Sequence, residues 1–138
     1  LRTKAITGLV VLLALFAVAV TGCGDTGKAG SEGTAGAGYQ NVTAEELKFM
    51  ISSEKNLFIV DVRENEETAR GYIAGSLLLP LSEFQSWVDE IPRDKKVVIV
   101  CASGSRSPQV AEYLVRLGYP EVYNLSDGLM VWTGELVK

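Results

Sequence analysis

The stretch Lys95 to Gly118 limits the folds open to this chain more than any other. A compact apolar run, Val97-Val98-Ile99-Val100, follows Lys95-Lys96, and the chain then turns at Cys101 through Ala102-Ser103-Gly104-Ser105-Arg106. Four β-branched residues in succession predict a strand buried on both faces. Val110, Leu114 and Leu117 recur at helical spacing, so a helix is expected from about Ser107 to Leu117, with Gly118 as its C-terminal stop. A strand thus ends on a cysteine, a loop of small residues follows, and a helix N-terminus points back at the sulfur. Free backbone N–H groups and the positive helix end favour an anion there, and they favour thiolate over thiol.

The 138 residues begin with a part that is not globular in composition, which leaves one domain of about 100 residues with a single core. The net charge is −4 and no basic run occurs, which argues against a nucleic-acid partner. There are two cysteines and no histidine. Without histidine, Ser-His-Asp triads, Cys-His dyads and the usual zinc sites are excluded. No metal or organic cofactor is expected, and any cysteine chemistry must lower the thiol pKa without an imidazole.

Leu1 stands where an initiator methionine is expected, which leaves a non-standard start or a missing true start. Arg2 and Lys4 form a short positive region, and Ala5 to Val20 is apolar apart from Thr7 and Gly8. That run of 16 residues is short for a spanning helix, which needs about 20, but ordinary for the apolar part of a signal peptide. Val20-Thr21-Gly22-Cys23 follows, and it resembles the lipobox of bacterial lipoproteins. The resemblance implies cleavage before Cys23 and lipid attachment to its sulfur. An uncleaved anchor, or a cleaved signal leaving Cys23 free, are the plainer alternatives. A Cys23–Cys101 disulfide is open to a chain outside the cytoplasm, but lipidation of Cys23 excludes it. Gly24 to Gly38 is Gly, Ala, Ser and Thr with a few charges, and reads as a flexible tether spanning roughly 20 Å. The expected organisation is a signal peptide over 1–22, a tether over 23–38 and a domain over 39–138. Membrane attachment through an N-terminal lipid would place that domain outside the cytoplasm, in the periplasm or on the outer face of the cell membrane.

Within the domain, Gln40-Asn41-Val42 predicts a short strand, and Thr43-Ala44-Glu45-Glu46 a capping box opening a helix through Leu47, Met50 and Ile51. Leu57 to Val62 is a second strand, followed by a charged helix from Glu64 to Arg70 that stops at Gly71. Ser76 to Pro80 is a third strand, and Ser82-Glu83-Phe84-Gln85 a second capping-box pattern ahead of Phe84, Trp87 and Val88. After the cysteine loop and its helix, Glu121 to Leu125 is a fifth strand, and Asp127-Gly128 turns into a short helix with Leu129, Val131 and Trp132. Apolar strands alternating with short helices predict an α/β domain, its parallel sheet covered on both faces. Ligands of such sheets sit beyond the carboxyl ends of the strands where the winding reverses, and Asp61, Arg63 and Cys101 all fall at such ends.

The loop Cys101 to Arg106 is Cys-x4-Arg, one residue shorter than the Cys-x5-Arg phosphate cradle of tyrosine phosphatases and their relatives. A tighter cup suits a single sulfur atom held on the cysteine and ringed by N–H donors, which argues against a phosphatase or arsenate reductase. Gly104 and its small neighbours let the backbone approach that atom. Arg106 adds a fixed positive charge for an incoming oxyanion and favours the thiolate. Taken alone, Cys101 would be a core cysteine at a strand end and Arg106 a surface charge at a helix start. Their spacing between a buried strand and a helix is what turns them into a site.

From about Tyr39 to Trp132 the sequence resembles a single rhodanese domain, a sulfurtransferase. The resemblance is carried by Asp61-Val62-Arg63 with Glu67, by Gly71-Tyr72-Ile73-Ala74-Gly75-Ser76, and by Cys101-Ala102-Ser103-Gly104-Ser105-Arg106-Ser107. Gly118-Tyr119 and Val122-Tyr123-Asn124-Leu125 with Gly128 and Trp132 complete it. It implies a rhodanese-like five-stranded parallel sheet flanked by helices on both faces, with the active loop after strand four and a persulfide intermediate on Cys101. Residues Ala102 to Arg106 would bind the donor, a small sulfur-containing anion such as thiosulfate. Cyanide or a thiol, including a thiol on a protein, would accept the sulfur. Asp61, Arg63 and Glu67 are expected as an ion-pair cluster supporting the loop. The chain departs from the family in carrying Tyr72 where histidine is usual and Asp127 at the first position of a usual Gly-Gly turn. Its Ala102 and Ser103 are neutral where some thiosulfate-specific members are basic. A non-catalytic rhodanese-like module that binds a partner protein at the membrane is the alternative of a different class.

Overall fold

The computed structural model describes residues 38–138, so the expected signal segment, Cys23 and all of the tether but Gly38 lie outside the described residues. Five strands, β1 (Gln40–Val42), β2 (Leu57–Asp61), β3 (Leu77–Leu78), β4 (Lys96–Val100) and β5 (Val122–Leu125), form one sheet in the order β1-β5-β4-β2-β3. Every pairing is parallel. Helices α1 (Ala44–Ser53), α2 (Asn65–Thr68), α3 (Phe84–Trp87) and α4 (Ser107–Arg116) lie in the connections. The expected α/β class and five-stranded parallel sheet are those observed.

The alternation of the central strands divides the core into two layers. Val60, Val62, Val97 and Ile99 face Trp87 from α3 and Val110, Ala111 and Leu114 from α4. Ile59, Val98, Val100 and Leu125 face the other way, against Ala44 and Leu47 of α1. Cys101 continues the first of these two sets. Both faces are therefore covered, and the strands are apolar because each residue in turn meets a layer of side chains.

Local chemistry decides which predicted caps form. At Thr43 the capping box is complete: the Glu46 N–H donates to Thr43 Oγ1 at 3.2 Å, and the Thr43 N–H donates to Glu46 Oε2 at 2.8 Å. The matching pattern at Ser82 does not cap a helix. Ser82 Oγ donates instead to Glu64 Oε2 at 2.7 Å, and its N–H to Glu64 Oε1 at 3.2 Å. The segment consequently runs as a 3₁₀ turn (Leu81–Glu83), the single turn α3, and a second 3₁₀ turn (Val88–Glu90). Trp87 anchors it by donating its indole N–H to the Pro80 carbonyl at 2.7 Å. The third strand is only two residues long, and the last expected helix is a 3₁₀ turn, Gly128–Val131.

Because the two layers lie on opposite faces, their losses should add. Leu114→Ala and Leu47→Ala each remove a fully buried side chain and should cost about 2–5 kcal/mol. The double variant should equal their sum to about 0.5 kcal/mol, read from urea unfolding of the three proteins.

Candidate active site

Residue Asp61 at the end of β2 pairs in register with Val100 at the end of β4, and the Val62 N–H donates to the Val100 carbonyl at 3.0 Å. From these neighbouring strands the chain leaves in opposite directions, β2 toward β3 and β4 toward β5. Their carboxyl ends thus form the reversal point at which sheets of this kind bind ligands. Cys101 is the residue that follows β4 there, and it is fully buried.

The sulfur sits in a ring of donors. The Gly104 N–H points at Sγ from 3.2 Å, and Ser107 Oγ lies 3.3 Å away. Burial raises the thiol pKa by penalising the charged form. The Ser107 hydroxyl and the backbone N–H groups of Ser107, Arg106 and Ser103 outweigh it, and the pKa falls below the ordinary thiol value. Ser107 opens α4 and Pro108 follows within its first turn, where a missing N–H costs no helical bond. The aligned peptides of α4 add their positive end to the same sulfur. The result is a polarised, dry sulfur with nucleophilic character and no imidazole.

The ring keeps its shape because a second backbone segment holds it. Leu129 and Met130 donate their N–H groups to the carbonyls of Cys101 and Ala102, at 2.8 and 2.9 Å. The approach is so close that two positions admit no side chain. A Cβ on Gly104 would lie 1.8 Å from the Ser126 carbonyl oxygen, and one on Gly128 would lie 2.5 Å from the Ala102 carbonyl. Both residues also have positive φ, 78° and 63°. On the outer surface Ser103 and Ser105 are exposed, their hydroxyls 3.2 Å apart.

The expected cluster of Asp61, Arg63 and Glu67 separates into two pairs. Strand alternation sends Asp61 to the same face as Val100, opposite to Cys101, so its carboxylate lies away from the sulfur. Arg63 folds back on it, Nη2 to Oδ2 at 2.7 Å and Nε to both oxygens at 3.0 Å, and its Nη2 also donates to the Gly71 carbonyl at 2.8 Å. This buried pair ties the end of β2 to the turn after α2. Glu67 instead meets Arg106, Nη1 to Oε2 and Nη2 to Oε1, both at 2.7 Å. The Arg106 fork brings the Glu67 carboxyl down to about 2, while Glu67 raises the Arg106 pKa in turn. Arg106 is therefore a clamped cation at the loop's end, bound through two of its five N–H groups.

Three participants were given no role in the site from the sequence. Ser107 is the first helical residue after the loop, and its position facing back along the helix toward Cys101 was the available signal. The amides of Leu129 and Met130 carried none, since any residue supplies an N–H.

A family model described as the rhodanese-like domain matches residues 43–135. A sulfurtransferase of Allochromatium vinosum is 37% identical over 91 residues, covering 66% of this chain and 85% of that protein. The crystal structure of a rhodanese-like domain protein from Staphylococcus aureus superposes with a TM-score of 0.66 at 36% identity, over 71% of this chain and 96% of that one. The human single-domain sulfurtransferase TSTD1 gives a TM-score of 0.59 at 29% identity, over 70% and 96%. The chain belongs to the rhodanese-like domain family.

If Ser107 helps to hold the thiolate, Ser107→Ala should shift the pH profile of Cys101 alkylation by a small reagent to higher pH. An unmoved midpoint in a folded variant would remove Ser107 from the ring's electrostatics.

Proposed function

We propose that the domain is a sulfurtransferase that carries sulfane sulfur on Cys101. The observation that carries this reading is the donor ring around Sγ, with the Gly104 N–H at 3.2 Å and the Ser107 hydroxyl at 3.3 Å. Family membership and relatives named as sulfurtransferases support it.

In the first half-reaction the Cys101 thiolate attacks the outer sulfur of a donor such as thiosulfate. The new Sγ–S bond forms as the donor's S–S bond breaks, and sulfite leaves with the electron pair of that bond. The persulfide's terminal sulfur takes the negative charge, and the loop from Ala102 to Arg106 presents N–H groups to it. In the second half-reaction a nucleophile, cyanide or a thiol, attacks that terminal sulfur and Cys101 leaves as thiolate. No proton has to be abstracted from carbon or water, so neither half needs an acid–base pair. Arg106 serves donor binding, and Asp61, Arg63 and Glu67 support the loop. Since Sγ is shielded from water, the donor sulfur must enter between the loop residues, on the side where Ser103 and Ser105 are exposed.

Incubation with thiosulfate should add the mass of one sulfur atom to the protein and none to Cys101→Ala. No gain in wild type, or an equal gain in the variant, would overturn the reading. In the same assay Arg106→Ala should raise the thiosulfate concentration at half-saturation about tenfold, as for loss of one hydrogen bond to a charged group.

We propose further that residues 1–22 are a lipoprotein signal peptide, that Cys23 carries the lipid, and that residues 23–38 tether the domain outside the cytoplasm. The grounds are the positive start, the apolar run and the small residues before Cys23. The intact mass of membrane-extracted protein should correspond to a chain beginning at lipid-modified Cys23. A mass including residues 1–22 would refute cleavage.

A further inference from the structure

Charge at the cup does not match a doubly charged donor. Arg106, the one cation in the loop, is held end-on by Glu67, both N–O distances being 2.7 Å. The pair is part-exposed, 27% for Arg106 and 33% for Glu67, so both charges reach an approaching ligand. Glu64 acts on Arg106 through space and is held in place by Ser82. On the other flank Asp127 follows Ser126, whose carbonyl lies against Gly104. Arg63 is matched by Asp61. At the loop's end one guanidinium, Arg106, thus faces two carboxylates, Glu67 and Glu64, a surplus of one negative charge. Ala102, Ser103 and Ser105 add nothing to oppose it. The backbone N–H groups favour negative charge on the sulfur they touch, but only within the ring, whereas the carboxylates repel a dianion over the length of its approach.

The rim also offers something that a bare oxyanion cannot use. Met130 is 78% exposed, and its N–H is bonded to the Ala102 carbonyl, which places an apolar side chain beside the loop.

From this arrangement we infer that Glu67 is a specificity-determining residue: by neutralising Arg106 it selects an organic persulfide, R–S–SH, over thiosulfate as the sulfur donor. The inference rests on the sulfurtransferase reading above and names its donor class. The step balances without an added oxidant. The Cys101 thiolate attacks the terminal sulfur of R–S–SH, the Sγ–S bond forms, the R–S bond to that sulfur breaks, and the thiolate R–S⁻ leaves with the bonding pair. The hydrogen stays on the transferred sulfur, giving Cys101–S–SH. Such a donor carries at most one charge at its sulfur, and its organic group has Met130 to lie against.

The test compares thiosulfate with hydroxyethyl persulfide, a donor of at most one negative charge. Transfer is read as sulfur mass gained by the protein, with Cys101→Ser as control. In wild type the second-order rate constant should favour the persulfide at least about tenfold. The thiosulfate rate constant should rise with ionic strength between about 0.01 and 0.15 M, because salt screens a repulsion. Glu67→Gln retains an oxygen to accept the Glu64 N–H that caps α2, and it should raise the thiosulfate-to-persulfide ratio about tenfold. A preference for thiosulfate, a thiosulfate rate constant that falls with salt, or an unchanged ratio in a folded Glu67→Gln would overturn the inference and leave the sulfurtransferase reading intact. Should the variant not fold, the wild-type salt series decides alone. If neither donor adds sulfur mass, the sulfurtransferase reading fails and the donor assignment goes with it.

Discussion

The clamp between the cysteine loop and the turn after β5 is the constraint on which the site depends. Two N–H groups, from Leu129 and Met130, hold the carbonyls of Cys101 and Ala102. Gly104 and Gly128 bring the two backbones to a distance that no side chain would tolerate. With those carbonyls turned toward the clamp, the peptide N–H groups of the loop are free to turn inward on the sulfur. The sheet makes the clamp possible, because β4 and β5 are hydrogen-bonded neighbours and deliver the two segments side by side. A donor ring made of peptide groups is also stiff. Its dipoles are oriented by bonds made elsewhere, so little reorganisation is needed when negative charge appears on the sulfur.

Such a ring answers the difficulty posed by a chain without histidine. Burial of Cys101 opposes ionisation, and a lone buried thiol would stay protonated. The hydroxyl of Ser107 and the amides of Ser103, Arg106 and Ser107 reverse that balance. By its spacing Arg106 is the natural counter-ion, yet its fork is occupied by Glu67. The thiolate is therefore stabilised chiefly by fixed dipoles at short range, which salt screens far less than a pair of exposed charges.

Local signals were legible in the sequence, and signals that depend on distant residues were not. The Thr43–Glu46 box was readable because both partners lie within four residues. The same pattern at Ser82 misled because Glu64, 18 positions upstream, takes its hydroxyl. The strand, loop and helix around Cys101 were readable from β-branching, small residues and helical spacing, and the parallel sheet from the alternation of elements. Asp61, Arg63 and Glu67 were recognisable as charges that would form ion pairs, but their partition was not. It depends on which face of β2 Asp61 occupies and on a contact between residues 39 positions apart. The Gly128 approach was equally hidden, since a glycine after Asp127 is explained by a turn alone until β5 is seen to end beside the loop.

Geometry and charge are separable in this cup. Peptide groups determine where a negative sulfur can rest, and they cannot be altered without moving the backbone. Side chains on α2 and at the loop's end determine which ligand charge is admitted, and Glu67 and Arg106 meet at their tips, part-exposed, where substitution leaves the clamp untouched. Once the Cys101 persulfide is ionised, its negative charge lies one S–S bond, about 2 Å, outward of Sγ. A ring held rigidly by the Leu129 and Met130 amides cannot follow it, so different N–H groups must serve the two positions. The Gly104 amide, at 3.2 Å, serves the inner one. The outer one lies toward the exposed side of the loop, where the Glu67–Arg106 pair is part-exposed as well.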